Sequence, residues 1–181
     1  PVSILVAARN ESESIVRFLD SVKRNNYRKG LYELIVVDDH SEDSTIQKMK
    51  NWMAANPEVN SILIPAKGEG KKKAIEEGLD HCENDIVLQT DADCIVPIDW
   101  ISYMISHFAD KNVQMVAGPV QFQPLNNLFE KMQAIEFSSL IASVALMLQK
   151  RCSKTYDLNC SRCSSSPRGV LYHSGNIRCS N

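Results

Sequence analysis

The sequence has no long apolar run. Nowhere in its 181 residues do the roughly 18 to 20 consecutive apolar residues needed to cross a bilayer occur, so no membrane-spanning helix is expected within it. An excess of charge of one sign is also missing. Lys and Arg number 20 against 22 Asp and Glu, for a net charge of −2, whereas a nucleic-acid surface needs a clustered basic face. Nucleic acid is therefore not an expected partner. The glycine signatures of two nucleotide folds are absent as well. The first apolar segment runs into Ala8-Arg9-Asn10-Glu11 instead of the G-x-G-x-x-G turn that lets a backbone approach a pyrophosphate. Lys67-Gly68-Glu69-Gly70-Lys71-Lys72-Lys73 lacks the Walker spacing and its Ser/Thr, which excludes a P-loop. Three lysines at a helix start work against its dipole; they read either as a solvated face or as the wall of an anion site.

What the chain does contain is a regular alternation of apolar strands and amphipathic helices. With 44% hydrophobic residues over this length, one α/β domain with a full core is the expectation. Val2 to Glu11, Tyr32 to Ser41, Ser61 to Pro65 and Asp85 to Cys94 read as strands, the first, second and fourth with polar residues at their ends. Their near-continuous Leu/Ile/Val content suits a parallel sheet covered on both faces. Helices are expected from Glu11 to Asn25 with Asn10 as cap, from the Ser41 to Thr45 capping segment to about Ala54, from Lys71 to Cys82, and after Pro97-Ile98-Asp99-Trp100. Val113 to Gly118 reads as a further strand, and Leu125 to about Arg151 as a long helix. Its apolar part, Phe137 to Leu148, is too short to span and fits a core or inter-subunit helix better than the alternative, a membrane-surface one. Cys82 and Cys94 fall within this pattern, while Cys152, Cys160, Cys163 and Cys179 crowd the end of the chain. The main domain thus reads as reduced and cytosolic.

In open parallel sheets ligands sit beyond the carboxyl ends of the strands, and those ends carry the polar residues here. Thr90-Asp91-Ala92-Asp93 closes one strand and Val37-Asp38-Asp39-His40-Ser41 another, while Arg9, Asn10 and Glu11 follow the first. On an extended backbone Asp91 and Asp93 project to one side, roughly 6 to 7 Å apart. Close carboxylates favour a cation, and hard oxygen ligands suit Mg²⁺ or Mn²⁺ with a substrate diphosphate completing the shell. The competing reading is that Asp93 caps the following helix, or that both acids solvate a turn. Asp39 could accept from a base or ribose and Arg9 could face a base or phosphate; each could equally be a cap or a surface ion pair.

Taken in order, Val6-Ala7-Ala8-Arg9-Asn10-Glu11, Val37-Asp38-Asp39-His40-Ser41, Gly70-Lys71-Lys72 with Ala74 and Gly78, and Thr90-Asp91-Ala92-Asp93 resemble the family 2 inverting glycosyltransferases. Gly118-Pro119-Val120 and Gln133-Ala134-Ile135-Glu136-Phe137 resemble their membrane-associated branch. The resemblance implies an α/β GT-A (Rossmann-like) fold, a mostly parallel sheet sandwiched by helices and incomplete on its C-terminal, acceptor side. It implies that Ala7, Arg9, Glu11 and Asp39 line the nucleotide pocket and that Lys71 lies near the nucleotide. Asp91 would approach the ribose or the metal, and Asp93 would hold Mg²⁺ or Mn²⁺ on the diphosphate. A UDP-sugar is the favoured donor, with a glycan, lipid or polysaccharide as acceptor, and the expected location is the cytoplasmic face of a membrane. Glu76 departs from the pattern, since many relatives carry Asn there.

The same resemblance calls for a general base, an Asp in an acidic motif well after the D-x-D, and none is found. After Asp110 the only acids are Glu130, Glu136 and Asp157. A truncated donor-binding half is expected, with a non-catalytic nucleotide-sugar-binding module as the alternative. The chain divides into a donor core over 1–124, a long helix over 125–150 and a Ser/Cys/Arg-rich tail over 151–181. Cys152, Cys160, Cys163, His173 and Cys179 give that tail a zinc reading. The competing readings are an aberrant or a disordered end.

Overall fold

The computed structural model describes residues 1–110, the positions 113, 115, 116, 118, 131, 132, 135 and 139, and one strand near the end of the chain. Strands β1 (Val2–Ala8), β2 (Tyr32–Asp38), β3 (Ser61–Pro65), β4 (Val87–Asp91) and β5 (Val170–Tyr172) form one sheet in the order β3-β2-β1-β4-β5. Every neighbouring pair is parallel. Between them run α1 (Ile15–Lys23), α2 (Thr45–Ala55), α3 (Lys71–Leu79) and α4 (Trp100–Ser106). This is the α/β architecture expected from the alternation of elements.

Helices on both faces explain the unbroken apolar strands. Ile4, Val6, Leu34, Val36 and Leu88 belong to a core with Phe18 and Leu19 of α1, Met49 and Trp52 of α2, and Ile101 and Met104 of α4. The alternate residues Leu5, Ile35, Val37 and Val87 pack with Ala74 of α3. The period-two switch of faces along each strand thus builds two cores from one sheet. At the amino ends of the strands, buried Glu33 accepts hydrogen bonds from Ser3 Oγ, the Glu83 N–H at 2.9 Å and Asn84 Nδ2 at 2.8 Å. Burial, then the Glu33 charge, pushes the nearby Cys82 thiol up to about 12, which leaves it protonated and unreactive.

Gly78 sets how closely α3 approaches the sheet. A Cβ there would lie 2.4 Å from Leu5 Cδ1 and 2.7 Å from Val37 Cγ2. Helix propensity favours alanine over glycine by about 1 kcal/mol, but forcing a methyl into a packed core costs about 1–3 kcal/mol. With both neighbours buried, the overlap wins. Gly78→Ala is expected to lower unfolding free energy by about 1–2 kcal/mol in denaturant titration; an unchanged midpoint would show that α3 shifts freely.

Several boundaries differ from the sequence expectation for local reasons. Asn10 does not cap α1. It adopts a positive φ of 55°, and Ser14 holds the N-cap position of a helix that starts at Ile15. Helix α3 ends at Leu79 rather than Cys82, and β4 begins at Val87 rather than Asp85. Residues 113, 115 and 116 lie outside any strand, with Gly118 in an isolated bridge; the other residues of that expected strand are outside the described ones. Of the expected long helix, Lys131, Met132, Ile135 and Ser139 are helical and exposed, and the remainder lies outside the described residues. So do Cys152, Cys160, Cys163, His173 and Cys179. Strand β5 comes from the segment read as an atypical tail and pairs with β4 to form the edge of the sheet.

Candidate functional site

Three strand ends converge because β1 lies between β2 and β4. Ala7 is level with Val37 on one side and Asp91 on the other, and Ala8 with Asp38. The loops that follow are stitched together. The Asn10 N–H donates to Ser41 Oγ at 3.0 Å, and Asn10 Oδ1 accepts from the Glu42 N–H at 2.9 Å. The Ser12 N–H donates to Asp43 Oδ2 at 3.1 Å, while Asp43 Oδ1 accepts from the Thr45 N–H at 2.9 Å. The Thr45 side-chain bond, aided by these backbone donors, lowers the Asp43 carboxyl to about 2. The left-handed backbone at Asn10, tolerable for Asn, is what turns its amide across to the neighbouring loop.

The paired acids Asp38 and Asp39 divide their work. Asp38 accepts from the Ser41 N–H at 3.2 Å and shapes the turn. Asp39 faces the crevice: its Oδ1 accepts from the Gly70 N–H at 2.9 Å and lies 3.3 Å from His40 Nδ1, while its Oδ2 lies 3.9 Å from the Arg9 guanidinium. Burial favours the neutral acid, yet the Gly70 N–H, the His40 ring and the Arg9 charge together hold the Asp39 carboxyl below its usual range. Arg9 also faces Glu69 at 3.6 Å. The loop between β3 and α3 therefore touches the residues that directly follow both β1 and β2, Arg9 and Asp39.

After Asp91 the backbone turns, with the Cys94 N–H donating to the Asp91 carbonyl at 3.3 Å. The extended spacing expected for the D-x-D therefore does not apply. One ligand atom each of Asp91, Asp93 and Cys94 lies within 4.8 Å of the others. Cys94 was not foreseen as a neighbour, because only a turn brings its thiol round to Asp93 Oδ1, at 3.4 Å. Glu11 points into the same acidic region. Burial raises its carboxyl above the usual range, and the Asp93, Asp91 and Asp43 charges add to this against a bond from Ser14.

Of the three lysines opening α3, Lys71 enters this cluster, its ammonium 2.6 Å from Asp91 Oδ1. Lys72 instead pairs with Glu76 one turn on, at 3.9 Å. A cationic group thus already sits on the Asp91 carboxylate. Two carboxylates that draw a cation, with a third acid nearby, form a donor set suited to Mg²⁺ or Mn²⁺. The structure brings Arg9, Glu11, Asp39, Lys71, Asp91 and Asp93 to one end of the sheet, with Ala7 at the base on β1.

The sequence matches the description Glycosyl transferase family 2 over residues 3–171. The chain belongs to this family. Family 2 relatives include glycosyltransferase AglE of Haloferax volcanii, 30% identical over 67% of this chain and 40% of the relative. Poly-beta-1,6-N-acetyl-D-glucosamine synthase of Staphylococcus aureus is 31% identical over 79% of this chain and 34% of the relative. The chain therefore spans two fifths or less of the length of these relatives. Among solved structures, the mannosyltransferase PcManGT of Pyrobaculum calidifontis, in complex with GDP-Man and Mn²⁺, superposes with a TM-score of 0.60 at 29% identity, over 67% of this chain and 35% of that one. S. aureus TarS 1-349 in complex with UDP has the same fold, with a TM-score of 0.60 at 19% identity, over 70% of this chain and 37% of that one. Among the described residues, no helix of this family 2 chain is long and apolar enough to cross a membrane.

Proposed function

We propose that this chain is the donor-binding half of a glycosyltransferase that takes a nucleotide-diphosphate sugar, preferentially a UDP-sugar, with Mg²⁺ or Mn²⁺. The observation that carries the reading is the meeting of Arg9, Asp39, Lys71, Asp91 and Asp93 at the carboxyl ends of β1, β2 and β4. PcManGT, in complex with GDP-Man and Mn²⁺, supports a diphosphate donor and a divalent ion. Residues 1–124 form the proposed donor core, with β5 added at the sheet edge.

Each residue has a role that follows from its chemistry. Asp39, kept ionised, accepts from the base or ribose; Arg9 and Lys71 attract the diphosphate. Glu11 and Ala7 line the floor. Asp91 and Asp93 would hold the divalent ion, which when bound offsets the negative charge of a departing nucleoside diphosphate. Transfer is read as inverting, to a hydroxyl of a glycan, lipid or polysaccharide, at the cytoplasmic face of a membrane.

Calorimetric titration of UDP, GDP and their sugars, each with and without Mn²⁺, tests the proposal. Binding of a UDP-sugar that requires Mn²⁺ is the expected result. Preference for GDP would move the base assignment, and no binding of either with Mn²⁺ would overturn the donor reading.

A further inference from the structure

Glu77 lies outside the strand-end crevice, yet its carboxylate holds the loop that closes one side of it. Glu77 Oε2 accepts from the Lys67 N–H and Oε1 from the Gly68 N–H, both at 2.8 Å. These two adjacent backbone donors, the Lys67 N–H first, hold the Glu77 carboxyl below its usual range. The loop continues into Glu69, which faces Arg9 at 3.6 Å, and Gly70, whose N–H reaches Asp39 at 2.9 Å. It ends at Lys71, 2.6 Å from Asp91. Each of those three contacts ends on a residue of the proposed donor site.

The anchor is rigid because of its neighbour. Gly78 seats α3 directly against Leu5 of β1 and Val37 of β2, so Glu77 inherits a fixed height above the sheet. Gly68 meets the same helix from the loop side, where an added Cβ would lie 2.6 Å from Lys73 Cδ and 3.3 Å from Glu77 Oε1. Gly70 then turns the chain into α3 at a φ of 100°, a conformation in which glycine is unstrained. Carboxylate bonds to backbone N–H groups are charge-assisted and stronger than neutral ones. They give this loop one geometry where an exposed loop would otherwise sample several.

We infer that Glu77 is a positioning residue for the donor site. By clamping the Lys67 and Gly68 amides it sets Glu69 on Arg9, Gly70 on Asp39 and Lys71 on Asp91. The inference rests on the donor reading above and adds a residue that does not itself touch the nucleotide.

Glu77→Gln tests it with little change of shape, because a carboxamide can accept only one of the two N–H bonds and turns an NH₂ group towards the other. Loss of one such bond is expected to weaken Mn²⁺-dependent nucleotide-sugar binding about tenfold, with the melting temperature lowered by no more than a few degrees. Amide exchange at Lys67 and Gly68 should quicken without any ligand present. Glu76→Gln, on the exposed side of the same helix, should do neither. Wild-type binding that Glu77→Gln leaves intact overturns the inference and spares the donor reading, as does a loss of affinity that only tracks a fall in melting temperature. Unchanged amide exchange also overturns the clamp. No nucleotide binding by the wild type overturns the donor reading and the inference with it.

Discussion

Asp93→Ala is expected to weaken Mn²⁺-dependent binding of a nucleotide-diphosphate sugar by about a hundredfold or more. Residues that merely support a metal ligand cost about 10- to 100-fold in metal affinity when removed, and a direct ligand should cost at least the upper end. The same change should leave the fold intact. Asp93 sits among acids, with Asp91 beside it and Glu11 close enough to feel both charges. Its side chain is only half-buried, and the bond it accepts from Cys94 Sγ, at 3.4 Å, comes from a weak thiol donor. Removing a carboxylate from a like-charged cluster relieves repulsion, so the melting temperature should hold or rise slightly. The elevated Glu11 carboxyl should also move back towards its ordinary value, because one of the charges raising it is gone. Asp93→Asn, which keeps the shape but not the charge, should reproduce the loss of binding. Calorimetry with Mn²⁺, paired with a thermal melt, reads both effects. Wild-type affinity in Asp93→Ala would sink the assignment of Asp93 as the metal ligand.

The strand ends were legible because the signal is local. An apolar run followed at once by acids, as in Val87 to Asp91 or Tyr32 to Asp39, needs no knowledge of distant residues to be read as a strand with a polar tip. The parallel sheet followed from the same runs, since only strands covered on both faces are apolar throughout. What failed was whatever depends on how a loop folds back. Asn10 looks like a helix cap in sequence, but its amide bonds the Glu42 N–H on another loop. Asp91 and Asp93 were spaced as if on a continuing strand, whereas the turn after Asp91 gathers them with Cys94. The Gly70 N–H on Asp39 joins residues 31 positions apart, and the Glu77 carboxylate under Lys67 and Gly68 joins residues 10 and 9 positions apart across a loop. Their residue types are ordinary at those positions. No composition or spacing marks them.

Lys71→Met is expected to change two affinities in opposite directions. The Lys71 ammonium lies 2.6 Å from Asp91 Oδ1, with the two side chains 55% and 51% exposed. A pair that open to solvent contributes only about 0–1 kcal/mol to stability, so its loss should scarcely move the melting temperature. Its effect on the site is larger if Asp91 is a metal ligand as proposed, because the ammonium then occupies a carboxylate of the metal site. On that assignment the lysine and the metal compete for Asp91 in the absence of nucleotide. Removing the competitor should tighten the binding of Mn²⁺ alone by about threefold to fivefold, the equivalent of the pair's upper value. A nucleoside diphosphate reverses the balance, since its phosphates offer the ammonium a stronger partner and Asp91 is released to the metal. Without that cation, nucleotide-sugar affinity in the presence of Mn²⁺ should fall about tenfold or more, as for a lost hydrogen bond between charged groups. Mn²⁺ titration followed by electron paramagnetic resonance reads the first affinity, and calorimetry with the nucleotide sugar reads the second. Misfolding would lower both, so opposite signs report on Lys71 itself. A parallel fall of the two affinities would mean that Lys71 supports the metal site instead of guarding it, and that the ammonium stays on Asp91 when the donor arrives.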